Sequence, residues 1–292
     1  MKIALLGANG QLGSDLAKAL DGHEVIAWTR GDFDVRDREY ARRAIVDSAP
    51  EVVINTTAFH QVDLCETRAE DAFQVNARVP FDLAVAVNRV GAKLVHISTD
   101  YVLSGDGSAP LDESSIPAPA SVYACSKLAG ELAVRNVATR HLVIRTCGLY
   151  GVAGGSGKGG NFVETILGKA RQGQPLTVVD DQIVTPTWTV ELARQMVLMI
   201  ESDLEGLIHA SAGGGCSWYE FARTAAEMCG VPARITPTSS REFGSAASRP
   251  PYSVLANRRL EGLGLDRMRH WKDGLADYVE ARHGVQAGET RP

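Results

Sequence analysis

Gly7-Ala8-Asn9-Gly10-Gln11-Leu12-Gly13 directly follows the apolar run Ile3-Ala4-Leu5-Leu6. The first glycine of such a stretch lets a strand turn sharply into a helix. The middle one lets backbone N–H groups approach a pyrophosphate. The last lets helix and strand pack closely, with the anion at the helix N-terminus. The spacing is G-x-x-G-x-x-G rather than the commoner G-x-G-x-x-G. Its place between a strand and a helix sets it apart from an ordinary glycine-rich turn. Gly7, Asn9, Gly10, Gln11, Leu12 and Gly13 are therefore the first cofactor-binding candidates.

Outward from this turn, strand and helix patterns alternate. Residues 2–6, 24–28, 51–55, 93–98 and 141–145 read as buried strands. Residues 11–20, 36–48, 70–90 and 121–136 read as helices. Continuous apolar strands separated by helices predict a parallel sheet covered on both faces. The fold class expected is α/β: a Rossmann-like, doubly wound parallel sheet with a smaller C-terminal substrate-binding lobe. Residues 1–150 would form the dinucleotide-binding domain, to which later segments are free to return, and 151–292 mainly the substrate lobe. In that second half, residues 151–160 hold six glycines and read as a flexible loop. Helices are expected at residues 161–172, 190–201 and 217–229. Residues 232–251 read as an irregular loop and the tail at 287–292 as frayed.

The 292 residues carry a net charge of −5, with 45% hydrophobic residues. That balance argues against a nucleic-acid surface. The first apolar run is too short for a signal-peptide core, and no stretch is long enough to span a membrane, so a cytoplasmic protein is expected. The five cysteines (65, 125, 147, 216 and 229) show no CxxC spacing, so no metal site is expected and free thiols are.

The second strand should end at the adenosine ribose, where an acid suits a 2′-hydroxyl and an arginine a 2′-phosphate. The residues there are Trp28-Thr29-Arg30-Gly31-Asp32-Phe33-Asp34-Val35. Arg30 tilts the reading toward NADPH, while Asp32 keeps NADH open; a solvated surface charge is the alternative for Arg30. Asp34 and Val35 join the cofactor-binding candidates.

Tyr123-Ala124-Cys125-Ser126-Lys127 places a phenol and an ammonium four residues apart on one helix face. A nearby ammonium favours the phenolate and is expected to lower the phenol's pKa, so that it exchanges a proton at neutral pH. Ser98-Thr99-Asp100-Tyr101 closes the fourth strand, where a hydroxyl would point into the ligand crevice. It could donate to a carbonyl gaining negative charge. The cluster also suits a turn cap. Asp15 and Glu191 read as acids on solvated helix surface.

With these motifs the chain resembles the dTDP-4-dehydrorhamnose reductase family of extended short-chain dehydrogenase/reductases. The likeness runs through residues 7–13, Val53-Ile54-Asn55-Thr56-Thr57-Ala58-Phe59 with Val62-Asp63 and Glu66, and Val75-Asn76-Ala77. It continues at Ser98 to Val102, Tyr123 to Glu131, Asn161-Phe162-Val163, Asp181-Gln182 with Pro186-Thr187, and Arg249-Pro250 with Ser253 and Leu255. The resemblance implies reduction of the C4 keto group of a nucleotide-linked deoxysugar by NADPH or NADH. Tyr123 would protonate the C4 oxygen, Lys127 would hold the cofactor ribose and Thr99 would polarise the carbonyl. Asp100, Asn161 and Arg249 would contact the substrate, Arg249 near the diphosphate. Thr57, Ala58 and Phe59 would line the cofactor. The protein would be a monomer or homodimer. One departure is Cys147-Gly148, where the family usually carries Ser-Trp. The missing ring suggests a wider sugar pocket. Rival readings are an epimerase or dehydratase on the same fold, or an NADP-binding regulatory subunit like the beta subunit of methionine adenosyltransferase. A dehydratase would carry an acid after Asp100, where this chain has Tyr101.

Overall fold

The computed structural model describes residues 1–32, 34–105, 107–153 and 160–284. Six strands form one sheet: β1 (Lys2–Leu6), β2 (Glu24–Trp28), β3 (Val52–Asn55), β4 (Lys93–Thr99), β5 (His141–Thr146) and β6 (Gly206–His209). Their order is β6-β5-β4-β3-β1-β2, and every neighbouring pair is parallel. The chain order reverses between β1 and β3, the place where doubly wound sheets open a ligand crevice at their carboxyl ends.

Helices cover both faces. On one side α1 (Gln11–Ala19) packs beside the helix Thr189–Glu201, and Leu12, Leu16, Leu192 and Met196 fill the core against Ile3, Leu5, Ile97 and Ile144. On the other lie α2 (Arg38–Ser48), α3 (Val79–Val90) and α4 (Val122–Val137), with Ile45, Leu83, Val87 and Val134 against Ala4, Leu6 and Val53. Alternate strand residues thus feed two cores, which explains why the strands read as unbroken apolar runs.

The single helix expected at residues 70–90 is three pieces. A short helix Ala69–Phe73 passes into a π-helical turn Gln74–Arg78 before α3 begins. Pro80 has no N–H to continue the i→i−4 ladder, so the turn widens there. The bulge turns Asn76 inward, where its Nδ2 donates to the Phe59 carbonyl (3.1 Å) and to Ser126 Oγ (3.0 Å).

The second half builds β6 and a lobe whose core is aromatic: Tyr150, Phe221, Trp271 and Tyr278 are buried together. Residues 232–251 are not wholly irregular. They hold a strand, Ile235–Thr238, paired in parallel with Leu176–Val179, and a helical turn, Ser240–Phe243. Burial of Ile235 against Ala222 and Val178 overrides the poor strand signal of a segment that contains Pro237. The closing helix Trp271–His283 also went unpredicted, although Trp271, Leu275, Tyr278 and Val279 repeat at helical spacing. Residues 154–159 and 285–292, which hold most of the glycine-rich loop and all of the expected frayed tail, lie outside the described residues. Among the described residues no helix is long and apolar enough to cross a membrane.

Candidate active site

The carboxyl ends of the strands open on a cleft of about 630 Å³. Gly7 enters it with φ +82°, and a Cβ there would lie 2.6 Å from Thr56 Oγ1. A Cβ on Gly13 would lie 2.1 Å from the Gly7 carbonyl oxygen, so this glycine is a packing requirement behind the turn. Gly10 starts α1, and no side chain caps that end. Gly7, Asn9, Gly10, Gln11 and Leu12 line the cleft. An uncapped helix start facing a cleft, reached through glycines, suits a pyrophosphate.

At the end of β2, Arg30 stretches along the rim with its side chain 78% exposed and Nη2 3.9 Å from Asp34. Arg36, which the sequence reading passed over, donates to both Asp34 oxygens from Nε at 2.9 and 3.0 Å and pulls that carboxyl down to about 2. Asp32 turns back on its own loop, accepting from Thr29 N and Oγ1 at 2.6 and 2.8 Å. Two guanidiniums therefore flank one carboxylate on the cleft wall with Val35, an arrangement suited to a 2′-phosphate. The signal for Arg36 was present in the sequence, two residues beyond the cofactor-binding candidate Asp34.

Thr57, Ala58 and Phe59 line the next stretch. They are fixed from below: Asn55 Oδ1 accepts from Thr57 N and Oγ1 at 3.1 and 2.6 Å, and Asn76 Oδ1 accepts from Phe59 N at 2.8 Å.

Ser121 caps α4 through Ala124 N at 3.2 Å, which brings Tyr123 and Lys127 onto the cleft one turn apart. Tyr123 and Thr99 line the cleft together, and Thr99 Oγ1 donates to Asp100 Oδ1 at 2.9 Å. Burial pushes the Tyr123 phenol up, against the expected lowering by Lys127; the Thr99 hydroxyl opposes the shift and the Asp100 charge adds to it. The phenol keeps its proton at neutral pH, as a general acid must. Lys127 Nζ donates to the Ile97 carbonyl at 2.5 Å. Burial lowers its pKa to about 8, opposed by Glu131 one turn further on. Glu131 is itself held by a buried two-point pair with Arg145, at 2.8 Å on each oxygen.

Asp100 lines the cleft yet is almost wholly buried, its carboxylate accepting from Thr99, from Cys147 Sγ at 3.1 Å and from Ser253. The Ser98 and Thr146 hydroxyls line the same cleft, buried and without a protein partner. Unpaired buried hydroxyls are costly unless a ligand satisfies them. The strand-edge rule that picked out Ser98 and Thr99 reaches Thr146 as well, which pairs with Thr99 across β4 and β5.

Besides Gly13, two candidates stay off the cleft wall. Asn161 caps the helix Phe162–Arg171 through Glu164 N at 3.0 Å and donates to the Gly151 carbonyl and the Tyr278 hydroxyl at 2.6 and 2.9 Å. Arg249 pairs with Asp63 at 3.1 and 2.8 Å. Asp15 and Glu191 are corrected outright: neither lies on solvated surface. Asp15 is buried where α1 meets the helix Thr189–Glu201 and accepts from Thr189 Oγ1 at 2.6 Å, while Glu191 is buried and paired with Arg269. Gly148 has φ +56°, and a Cβ would come 3.1 Å from Pro186 Cα, so any larger residue there is strained.

A hydride-transfer cleft at the switch point of this sheet, with phenol, ammonium and hydroxyl at its inner end, defines an NAD(P)H-dependent oxidoreductase of the extended short-chain dehydrogenase/reductase class. Within that class the chain belongs to the RmlD substrate binding domain family, whose model matches residues 1–283. It is 40% identical over 283 residues to a spore coat polysaccharide biosynthesis protein of Bacillus subtilis, covering 96% of this chain and 98% of that one. It is 39% identical over 288 residues to a dTDP-4-dehydrorhamnose reductase of Mycobacterium tuberculosis, covering 96% and 93%. The crystal structure of a dTDP-4-dehydrorhamnose reductase of Bacillus anthracis in complex with NADP matches with a TM-score of 0.91 at 34% identity, covering 96% and 99%.

Proposed function

We propose that this chain reduces the C4 keto group of a nucleotide-linked deoxysugar with NADPH or NADH, turning dTDP-4-dehydro-L-rhamnose into dTDP-L-rhamnose. The observation that carries the reading is the convergence of Thr99, Tyr123 and Lys127 on the cleft that the glycine turn enters. The names of its relatives, among them a dTDP-4-keto-6-deoxy-D-glucose reductase of Streptomyces niveus at 34% identity, point to the same chemistry.

The nicotinamide, when bound, supplies the hydride to C4. Tyr123 gives its phenolic proton to the C4 oxygen, so ketone, hydride and proton sum to the alcohol. Thr99 polarises the C4 carbonyl from the same cleft wall. Lys127, held on the Ile97 carbonyl, binds the nicotinamide ribose and balances the phenolate formed by proton loss. Gly7, Gly10, Gln11 and Leu12 hold the pyrophosphate, while Arg30 and Arg36 take a 2′-phosphate. Residues 1–150 with β6 form the cofactor domain, and the remainder of 151–292 is mainly the substrate lobe. The protein acts in the cytoplasm as a monomer or homodimer.

The test is oxidation of NADPH and NADH by the pure protein with a panel of 4-keto nucleotide sugars. Turnover of such a sugar by the isolated chain supports the reading. No turnover, with stable copurification of a second chain, would favour a regulatory subunit.

A further inference from the structure

Three features remain outside that chemistry: the acids Asp63 and Glu66, the arginine Arg249, and Tyr101 beside the catalytic threonine. The fold joins them. The short helix Val62–Thr67 follows β3 in the chain and packs on α4. From it, Glu66 Oε1 accepts from Val122 N at 2.9 Å, fixing the first residue of the helix that carries Tyr123. One turn away on the same face, Asp63 accepts from Ala247 N at 3.1 Å and takes both arms of Arg249. Arg249 Nη1 also donates to the Ala247 carbonyl at 3.1 Å, so the segment 247–249 is closed onto Asp63 by three bonds and onto itself by a fourth.

The same half-buried guanidinium interacts with the Tyr101 hydroxyl. The Tyr101 ring meets the Tyr123 ring edge-on, with centroids 5.9 Å apart at 86°. Tyr101 N donates to Thr99 Oγ1 at 3.3 Å. A chain of contacts thus runs from Asp63 through Arg249 and Tyr101 to the catalytic pair. Edge-to-face packing restrains a ring more strictly than plain apolar contact, because the two quadrupoles fix the angle.

We infer that Asp63, Arg249 and Tyr101 form a clamp that positions the Tyr123 phenol, and that Arg249 acts through Tyr101 rather than by binding the substrate diphosphate. This rests on the reductase reading and deepens it. Arg249 belongs to the C-terminal half, while Asp63 and Tyr101 belong to the cofactor half. The clamp therefore makes proton delivery depend on the two halves being joined. Misplacing a reacting group by about an ångström can cost on the order of a hundredfold in rate.

The experiment measures kcat, the KM for the nucleotide sugar and the Kd for NADPH in Tyr101→Phe, Arg249→Ala, Arg249→Lys and the double variant Tyr101→Phe/Arg249→Ala. Tyr101→Phe keeps the ring and loses only the hydroxyl that meets Arg249, so it also serves if Arg249→Ala fails to fold. The expected result is a fall in kcat of roughly ten- to a hundredfold in Tyr101→Phe and Arg249→Ala. The double variant should be little worse than either single one, Arg249→Lys should recover part of the loss, and KM and Kd should stay within about twofold. A many-fold rise in sugar KM with kcat unchanged in Arg249→Ala would make Arg249 a diphosphate ligand and overturn the clamp. Unchanged kcat in Tyr101→Phe would also overturn it. Wild-type protein that turns over no 4-keto sugar would defeat the reductase reading instead, so the two failures are separable.

Discussion

The helix that opens the cleft and four helices of the C-terminal half begin in different ways. α1 starts at Gly10 with no side chain over its first amides. In the lobe, Asn161, Ser217, Ser239 and His270 each close a helix start by accepting a backbone N–H. Capping contributes about 1 kcal/mol per helix, and the cofactor helix goes without it. α1 stays open where a bound anion would supply the missing acceptor, while α2 and α4 of the same half are closed by Asp37 and Ser121. Glycine and bare backbone shape the cleft end of α1, and side-chain hydrogen bonds around an aromatic core shape much of the lobe.

The sharpest way to break this division is at the junction where chemistry happens. Tyr123→Phe removes one hydroxyl from the cofactor half. General acid catalysis is worth ~10²–10⁴-fold, so kcat should fall by that much while NADPH affinity stays near normal. Steady-state turnover and a fluorescence titration with NADPH measure the two. Retention of more than about a tenth of the rate would move the acid elsewhere.

Much of the cofactor half was legible because its strands are buried on both faces. Lys93–Thr99 is buried at every position, and a run of that kind has few readings other than a parallel strand. The site followed from it, since strand ends and the glycine turn have fixed places in such a sheet. The lobe was harder to read. Its strands Leu149–Tyr150, Ile183–Val184 and Thr187–Trp188 are two residues long, too short to carry a period. Their partners are distant in sequence, so only the assembled fold defines them. Burial was also invisible where it reversed a sign: the pair Tyr123 and Lys127 shows in the sequence, but the desolvation that raises the phenol and lowers the amine does not.

That desolvation gives the next effect. Lys127 has its pKa lowered to about 8, and the proposed mechanism needs its charge. Turnover should fall about tenfold per pH unit above that value. The phenol titrates higher still, because burial raises it, so the limb belongs to the lysine. For stability the sign is opposite. The unfolded chain holds the Lys127 proton more tightly than the folded one, so this group destabilises the fold fully below about 8. Its contribution then improves as the pH rises toward the free-lysine value. A kcat profile flat to pH 10 would show that Lys127 is not needed as a cation.

On the lobe side, Asn161→Ala should cost about 1–2 kcal/mol of stability, through the lost cap and the lost donation to the Tyr278 hydroxyl, which keeps its bond to Glu164 Oε1, with NADPH affinity unchanged. Urea unfolding measures the first and the titration the second. A large rise in sugar KM without loss of stability would instead make Asn161 a substrate ligand.

The smallest effect lies on the cofactor rim. Arg30 is mostly exposed, so water and salt screen any bond it makes to a 2′-phosphate. Arg36 is tied to Asp34 and lies further in, with its side chain 42% exposed against 78% for Arg30. Arg30→Ala should therefore weaken NADPH by only about fivefold, the upper end of an exposed charge pair, and NADH hardly at all. The loss should shrink as salt rises, because screening acts on the exposed pair first. Arg36→Ala removes a less exposed guanidinium and also frees Asp34, whose carboxylate would then repel a phosphate and favour a free 2′-hydroxyl. Its NADPH loss should be the larger of the two, with NADH binding kept or improved. The measurement is the Kd of each variant for both cofactors at low and high salt. Equal losses for NADPH and NADH in both variants would show that neither arginine reads the phosphate, and the rim would then be as indifferent to the ligand's charge as the capped helices of the lobe.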